Sequence, residues 1–322
     1  MRYRKIGKWG VKVSEVSLGC WLTYGGHVDE QNSIEQLQYA YEKGINFIDT
    51  ANSYALGRSE ELLGKAIKPF RRDSLVIASK VFFEMGQGPN DRGLSRKHVM
   101  EQCHASLQRM GIEYLDLYQC HRYDQGTPIE ELVMTMDILT RQGKILYWGV
   151  SEWPADKIKE AVDTANKMNL VPPISNQPCY NMFARNIETE IIPVSEKMGL
   201  GQLVYSPLAQ GALTGKYRPG EPHPEGSRAS REKEGYWLRG DLLSDETLEK
   251  VQALSKIAAE LGVSMSVLAL AWCLRLQNVS SVIIGATSKT QIDENIKASG
   301  VILPSSVVER IEKILSAVPL RH

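Results

Sequence analysis

Eight short apolar runs, each followed by a longer segment, constrain this 322-residue chain more than any other feature. The runs are VSLGCW (16–21), INFIDTA (45–51), LVIASKV (75–81), LDLYQCH (115–121), ILYWGVS (145–151), ISNQPCY (174–180), QLVYSPLA (202–209) and SVIIGAT (281–287). Runs of this length and composition predict buried β-strands. Between them, SIEQLQYAYEKG and SRKHVMEQCHASLQRMG place apolar residues near i, i+3 and i+4, and each ends in Gly, a helix stop. PIEELVMTMDILTRQG starts with Pro and acidic residues and also ends in Gly, as the helix dipole favours. Eight strand–helix units predict an α/β fold of the (β/α)8 TIM-barrel type. A doubly wound sheet would carry G-x-G-x-x-G after its first strand. Here that turn is LTYGGH, so the barrel is preferred.

Two segments stand outside the repeat. Residues 1–13 predict a β-hairpin that caps the barrel bottom. Residues 210–243, rich in Gly, Pro and charge, follow strand seven and so fall on the active face. A segment that long without regular structure is usually functional or mobile. SDETLEKVQALSKIAAELG predicts an extra helix after strand seven, and PSSVVERIEKIL another near the C-terminus. Without a compositional break, residues 1–322 are expected to form a single barrel domain.

Lys+Arg and Asp+Glu balance at 38 each, which gives no hint of a nucleic-acid partner. No apolar stretch approaches the roughly 18 residues of a membrane-spanning helix, so no membrane insertion is expected. VSMSVLALAWCL, the longest, predicts a buried helix. MRYRKIGKWG has charge but no apolar core behind it, unlike a signal peptide. Five cysteines without a CxxC favour a reduced, cytoplasmic location and no zinc or other metal.

Four polar residues lie at or just past strand ends: Asp49, Tyr54, Lys80 and His121. In a parallel barrel those ends meet on one face. Lys80 alone reads equally as a rim lysine paired with Asp49 for stability. His121 alone reads as a rim histidine. Together they make a proton-transfer site suited to carbonyl reduction, with the cation expected to lower the Tyr54 pKa. After strand eight, Gly285, Thr287 and Ser288 open a helix whose N–H groups suit a phosphate, or serve as a plain cap. Lys216 and Arg228 add charge for a 2′-phosphate, or are solvated. Tyr205 suits stacking on a planar ring, or is a core tyrosine. Ser151 and Gln177 suit a carboxamide. GALTGK lacks the spacing of a P-loop. Cys20, Cys120 and Cys179 are read as packing residues.

The stretches GINFIDTANSYALGRSEELLG, RGLSRKHVMEQCHASLQRMGIEYLDLY, YWGVSEW, YSPLAQGALTGKY, SRASREKEGYWLR, LALAWCLR and SSVIIGATSKTQIDENI resemble the aldo-keto reductase superfamily. Within it they are most similar to the voltage-gated potassium channel β-subunit (Shaker-type) branch. The resemblance implies a barrel that binds NADP(H) without a Rossmann fold, and a likeness to homotetrameric relatives. It makes Asp49, Tyr54, Lys80 and His121 a catalytic tetrad, with Tyr54 the proton donor. Ser151 and Gln177 would hold the carboxamide, with Asp49 counted at the cofactor too, and Tyr205 would stack on the nicotinamide. Ser206, Pro207, Leu208, Ala209 and Gln210 would line the pyrophosphate. Lys216, Arg228 and the run Thr287, Ser288 to Gln291 would contact phosphates. Glu294 and Asn295 would meet adenine, and Trp21 would line the pocket. The branch carries Asn where this chain has His121, and Arg or Asn where it has Glu152.

The expectation is therefore an NADPH-dependent reductase of aldehydes or ketones. A cofactor-sensing cytoplasmic β-subunit of a potassium channel is the alternative. His121 favours the enzyme, as does a chain that opens at the hairpin, with no extension expected that could plug a pore.

Overall fold

A computed structural model describes residues 1–21, 29–230, 238 and 240–316. The predicted LTYGGH turn and residues 231–237 and 239 of SRASREKEGYWLR lie outside the described residues. The N-terminal hairpin pairs β1 (Tyr3–Lys5) with β2 (Lys12–Ser14). Eight parallel strands then close a barrel: β3 (Val16–Gly19), β4 (Phe47–Asp49), β5 (Val76–Val81), β6 (Leu115–Cys120), β7 (Ile145–Ser151), β8 (Ser175–Gln177), β9 (Gly201–Tyr205) and β10 (Val279–Ile284). They run in sequence order, with β10 pairing back onto β3.

Each expected strand is present, several shorter than expected. β3 stops at Gly19, short of Trp21. β8 stops at Gln177, because Pro178 has no N–H for the ladder; Cys179 adds only an isolated bridge to Tyr205. β9 stops at Tyr205, because Ser206 turns the chain with φ 52°. β10 instead starts two residues early, at Val279.

The outer layer is α1 (Glu30–Glu42), α2 (Arg58–Ile67), α3 (Arg96–Met110), α4 (Ile129–Arg141), α5 (Ala155–Lys167), α6 (Ile191–Met198), α7 (Asp245–Glu260), α8 (Met265–Leu274), α9 (Lys289–Asn295) and α10 (Ser305–Leu315). α1 starts three residues earlier than its apolar pattern indicates, because the Asp29 carboxylate caps it by accepting from Asn32 N at 2.9 Å. The described part of residues 210–243 is less irregular than expected, with short 3-10 turns at Ala209–Thr214, Arg228–Ser230 and Gly240–Leu243. No single helix among the described residues is long and apolar enough to cross a membrane.

Strand alternation sets the interior. Phe47 and Asp49 share a face, as do Val76, Ala78 and Lys80, and Leu117 and Gln119. Their apolar members fill the barrel bottom with Leu203 and Ile283, and Ile6 and Val13 of the hairpin pack into the same cluster. A larger core lies between the sheet and its helices. The hairpin turn approaches β9 so closely that a Cβ on Gly7 would sit 2.3 Å from Gly199 O, and the φ of 55° there also favours glycine.

Glu15 ties the hairpin down. Its carboxylate accepts from Arg4 Nε at 2.7 Å, Ser299 Oγ at 2.9 Å and Gly300 N at 2.8 Å. Burial opposes the charge, but Arg4, Ser299 and Gly300 together hold the carboxyl below its ordinary value of 4.5. A depressed carboxyl stabilises the fold above the unfolded-state pKa and loses that contribution as pH falls through the folded value. Glu15→Gln is therefore expected to lower Tm at neutral pH. The deficit should close progressively below pH 4.5 in melts across an acid series. A deficit independent of pH would contradict the ionic role.

Candidate active site

The same alternation that puts apolar side chains at the bottom puts polar ones at the mouth. Lys80 is fully buried and Asp49 nearly so. The ammonium has three N–H groups and three acceptors: Asp49 Oδ2 at 2.5 Å, Thr50 O at 2.9 Å and Tyr54 Oη at 3.1 Å. Asp49 Oδ1 accepts from Gln177 Nε2 at 2.8 Å and Gln119 Nε2 at 3.3 Å. The charges thus neutralise each other in a site that could not hold either alone. Burial works against the Lys80 cation, but Asp49 and Tyr54 raise its pKa above the ordinary value.

Tyr54 opens the 3-10 turn Tyr54–Gly57. Its oxygen accepts from Lys80, which leaves its own hydrogen to donate. The sequence-based expectation of a lowered pKa is not met. Burial raises it, Lys80 only partly offsets this, and the phenol stays protonated beyond its ordinary value. His121 stands edge-on to Tyr54, ring centroids 5.7 Å apart, and edge-on to Phe83 at 4.8 Å. Burial first, then Lys80 and Arg122, hold the imidazole well below its ordinary pKa, so it is neutral. Its Nδ1 is buried with no hydrogen-bond partner among the described residues.

Ser151 Oγ donates to Gln177 O at 2.8 Å, which joins the ends of β7 and β8 to the Asp49 cluster. Glu152 follows with φ 56°, and its carboxylate accepts from Cys179 N at 2.6 Å. That carboxylate also lies beside Tyr205, whose phenol is raised by burial and then by Glu152. Trp21 is half-buried at the rim past β3. The thiols of Cys103 and Cys179 are pushed up to about 12 by burial, and those of Cys20, Cys120 and Cys273 higher still, which suits packing residues.

Tyr205 and Ile283 are paired on β9 and β10, so the segments after both strands leave the barrel side by side. Ser206, Ala209 and Gln210 hold left-handed backbone (φ 52°, 47°, 58°), an unusual density for non-glycine residues. Gln210 bridges Ser206 Oγ at 2.9 Å to Arg228. Lys216 Nζ stands 3.5 Å from the position of a Cβ on Gly211. Past β10, Gly285 is exposed and Ser288 caps α9. Thr287 N donates to Gln291 Oε1 at 2.8 Å, Glu294 pairs with Lys297 at 2.5 Å, and Asn295 is buried.

Gln119 belongs to the Asp49 cluster and is missed by the strand-end rule. It lies two residues after Leu117, on the same inward face of β6, and that parity is the signal for it. The left-handed backbone carries no signal, since Ser, Ala and Gln do not mark positive φ.

A model of the aldo/keto reductase family matches residues 15–316. The chain belongs to this family. Membership supports NADPH-dependent oxidoreductase chemistry in general, and the family generally binds NADP(H). Two relatives, each named "Probable voltage-gated potassium channel subunit beta", are 46% identical (Arabidopsis thaliana) and 45% identical (Oryza sativa subsp. japonica) over 326 residues. In both the match covers 100% of this chain and 98% of the relative.

Proposed function

We propose that this chain reduces aldehydes or ketones to alcohols with NADPH, with Tyr54 as general acid. The observation that carries the proposal is Lys80, which spends its third N–H on the phenol oxygen and leaves the phenol proton free to donate. The residues at the mouth fit a dinucleotide phosphate. Acceptor and donor groups of Ser151 and Gln177 match a carboxamide, and Tyr205 offers a ring face. The turn Ser206, Pro207, Leu208, Ala209 and Gln210, with Lys216 and Arg228, supplies hydroxyl, amide and cationic groups for phosphates. Gly285, Thr287, Ser288 and Gln291 add to them, with the Gln210 and Gln291 side chains moving off their internal partners. Glu294, on leaving Lys297, and Asn295 are assigned to adenine, and Trp21 to the pocket wall.

When bound, the nicotinamide supplies a hydride to the carbonyl carbon. Tyr54 gives its proton to the carbonyl oxygen, and Lys80 stabilises the phenolate left behind. Asp49 keeps Lys80 charged and in place. Neutral His121 donates a second hydrogen bond to the same oxygen. The test is NADPH consumption with 4-nitrobenzaldehyde and a small panel of aliphatic aldehydes and ketones. Tight NADPH binding with no turnover across the panel would reject the reductase.

The 2′-phosphate preference rests on Lys216 and Arg228. Lys216→Ala is expected to weaken NADPH roughly tenfold, the ~1.4 kcal/mol of one charge-assisted contact, and to leave NADH unchanged. Equal losses for both coenzymes in fluorescence titrations would contradict that role.

A second reading has a specific support in the names of the two plant relatives. In it the chain is a cytoplasmic, cofactor-sensing β-subunit of a potassium channel, assembled as a tetramer. Pull-down against a channel cytoplasmic domain, with the assembly's mass in solution, tests it. The two readings share one site on what we take as a single barrel domain, and His121 favours turnover.

A further inference from the structure

The neighbours of the three site residues converge on one buried point outside the barrel wall. Thr50 follows Asp49, Ser79 precedes Lys80, and Ser59 and Glu60 open α2 directly after the Tyr54 turn. Thr50 Oγ1 donates to Ser59 Oγ at 3.2 Å, and Ser59 Oγ donates to Cys20 O at 3.2 Å. Ser79 Oγ donates to Glu60 Oε1 at 2.5 Å. The other Glu60 oxygen accepts from Arg109 Nε of α3 at 2.6 Å, and Arg109 also donates to Ser106 Oγ at 3.2 Å. Glu60 is fully buried.

Arg109 does a second thing. Its side chain runs beneath Gly57, where a Cβ would lie 2.6 Å from Arg109 Cδ and φ is 92°. Ala55 and Leu56 before it are also left-handed, at 47° and 50°. Three consecutive residues in that region persist only where surrounding structure over-determines them. A buried ion pair contributes little net stability against a well-packed apolar replacement. Its place here, spanning the turn, α2, α3 and the residue beside Lys80, fits fixing a geometry better than adding stability.

We propose that Glu60 and Arg109, with Ser59 and Ser79, form a positioning clamp that holds the Tyr54 hydroxyl against Lys80. The clamp rests on the reading of Tyr54 as proton donor. None of the four touches the site itself; they act through the turn and the two strands. Among the described residues, the charged and titratable groups facing Tyr54 are Lys80 and Asp49 from the strands, and His121 and Arg122 past β6.

The test needs a readout independent of turnover. Protein labelled with 3-fluorotyrosine, whose phenol titrates in a more accessible range, reports Tyr54 by 19F NMR. The resonance is assigned by its loss in Tyr54→Phe. Arg109→Lys keeps the charge but loses the planar fork, and Gly57→Ala displaces Arg109 with all charges kept. In both, the Tyr54 titration midpoint is expected to move up as Lys80 recedes. With 4-nitrobenzaldehyde, kcat should fall about 10²-fold with KM and NADPH Kd retained, as for a misplacement of about 1 Å. An unchanged midpoint and kcat in variants with lower Tm would overturn the clamp and leave a purely structural pair. A shifted midpoint in a protein that turns over no carbonyl supports the clamp and rejects the reductase. If Arg109→Lys does not fold, Gly57→Ala carries the test.

Discussion

Tyr54→Phe is expected to lower kcat for carbonyl reduction by ~10²–10⁴-fold, the contribution of a positioned general acid, with NADPH affinity near wild type. The substitution keeps the ring, its edge contact to His121 and the Lys80 ammonium 4.8 Å above it. What goes is the hydroxyl, and with it one acceptor of Lys80. Burial raises the phenol's pKa more than Lys80 lowers it, so the proton is kept beyond the ordinary range of a tyrosine. Reduction by the wild type should thus hold through neutral pH and decline only as pH rises through the Tyr54 pKa, above the ordinary 10.0. Steady-state rates and fluorescence titration of NADPH check both parts. Matching rates in the two proteins would remove Tyr54 from the role.

Lys80→Met should damage both stability and activity. It leaves the Asp49 carboxylate buried, with the Gln177 and Gln119 amides as its side-chain support among the described residues. Breaking a buried pair from one side costs about 3–5 kcal/mol, because the remaining charge is uncompensated. Activity should fall at least as far as in Tyr54→Phe, since nothing then stabilises the phenolate. Adding Asp49→Asn should restore much of the stability and none of the activity. Such non-additivity is what contacting groups show in a double-mutant cycle. Denaturant unfolding and rate measurements on the two single variants and the double variant check it. Full wild-type stability in Lys80→Met would mean that the pair is not a closed unit.

The barrel was legible because each strand is a short apolar run with its own stop. Burial on both faces demands that pattern, and eight repeats leave few alternatives. The mouth was legible for a related reason. Asp49, Lys80 and His121 are polar residues at the ends of apolar runs, where only a rim or a paired site can hold them. Gln119 was hidden inside a run and visible only through strand parity. The backbone of Ser206–Gln210 was hidden because none of its non-glycine residues signals a left-handed turn. The Glu60–Arg109 pair joins residues 49 apart, and no local pattern connects them. The Tyr54 pKa could be expected in the wrong direction because sequence shows the nearby cation and not the depth of burial.

Direct transfer within this mouth can be followed with NADPH deuterated at C4 on the transferred face and 4-nitrobenzaldehyde as acceptor. The wild type is predicted to give alcohol carrying one deuterium on the carbinol carbon, and Tyr54→Phe to give almost none in the same time. Alcohol without deuterium, or no alcohol from a wild type that binds NADPH, would contradict carbonyl reduction at the Asp49, Tyr54, Lys80 and His121 site.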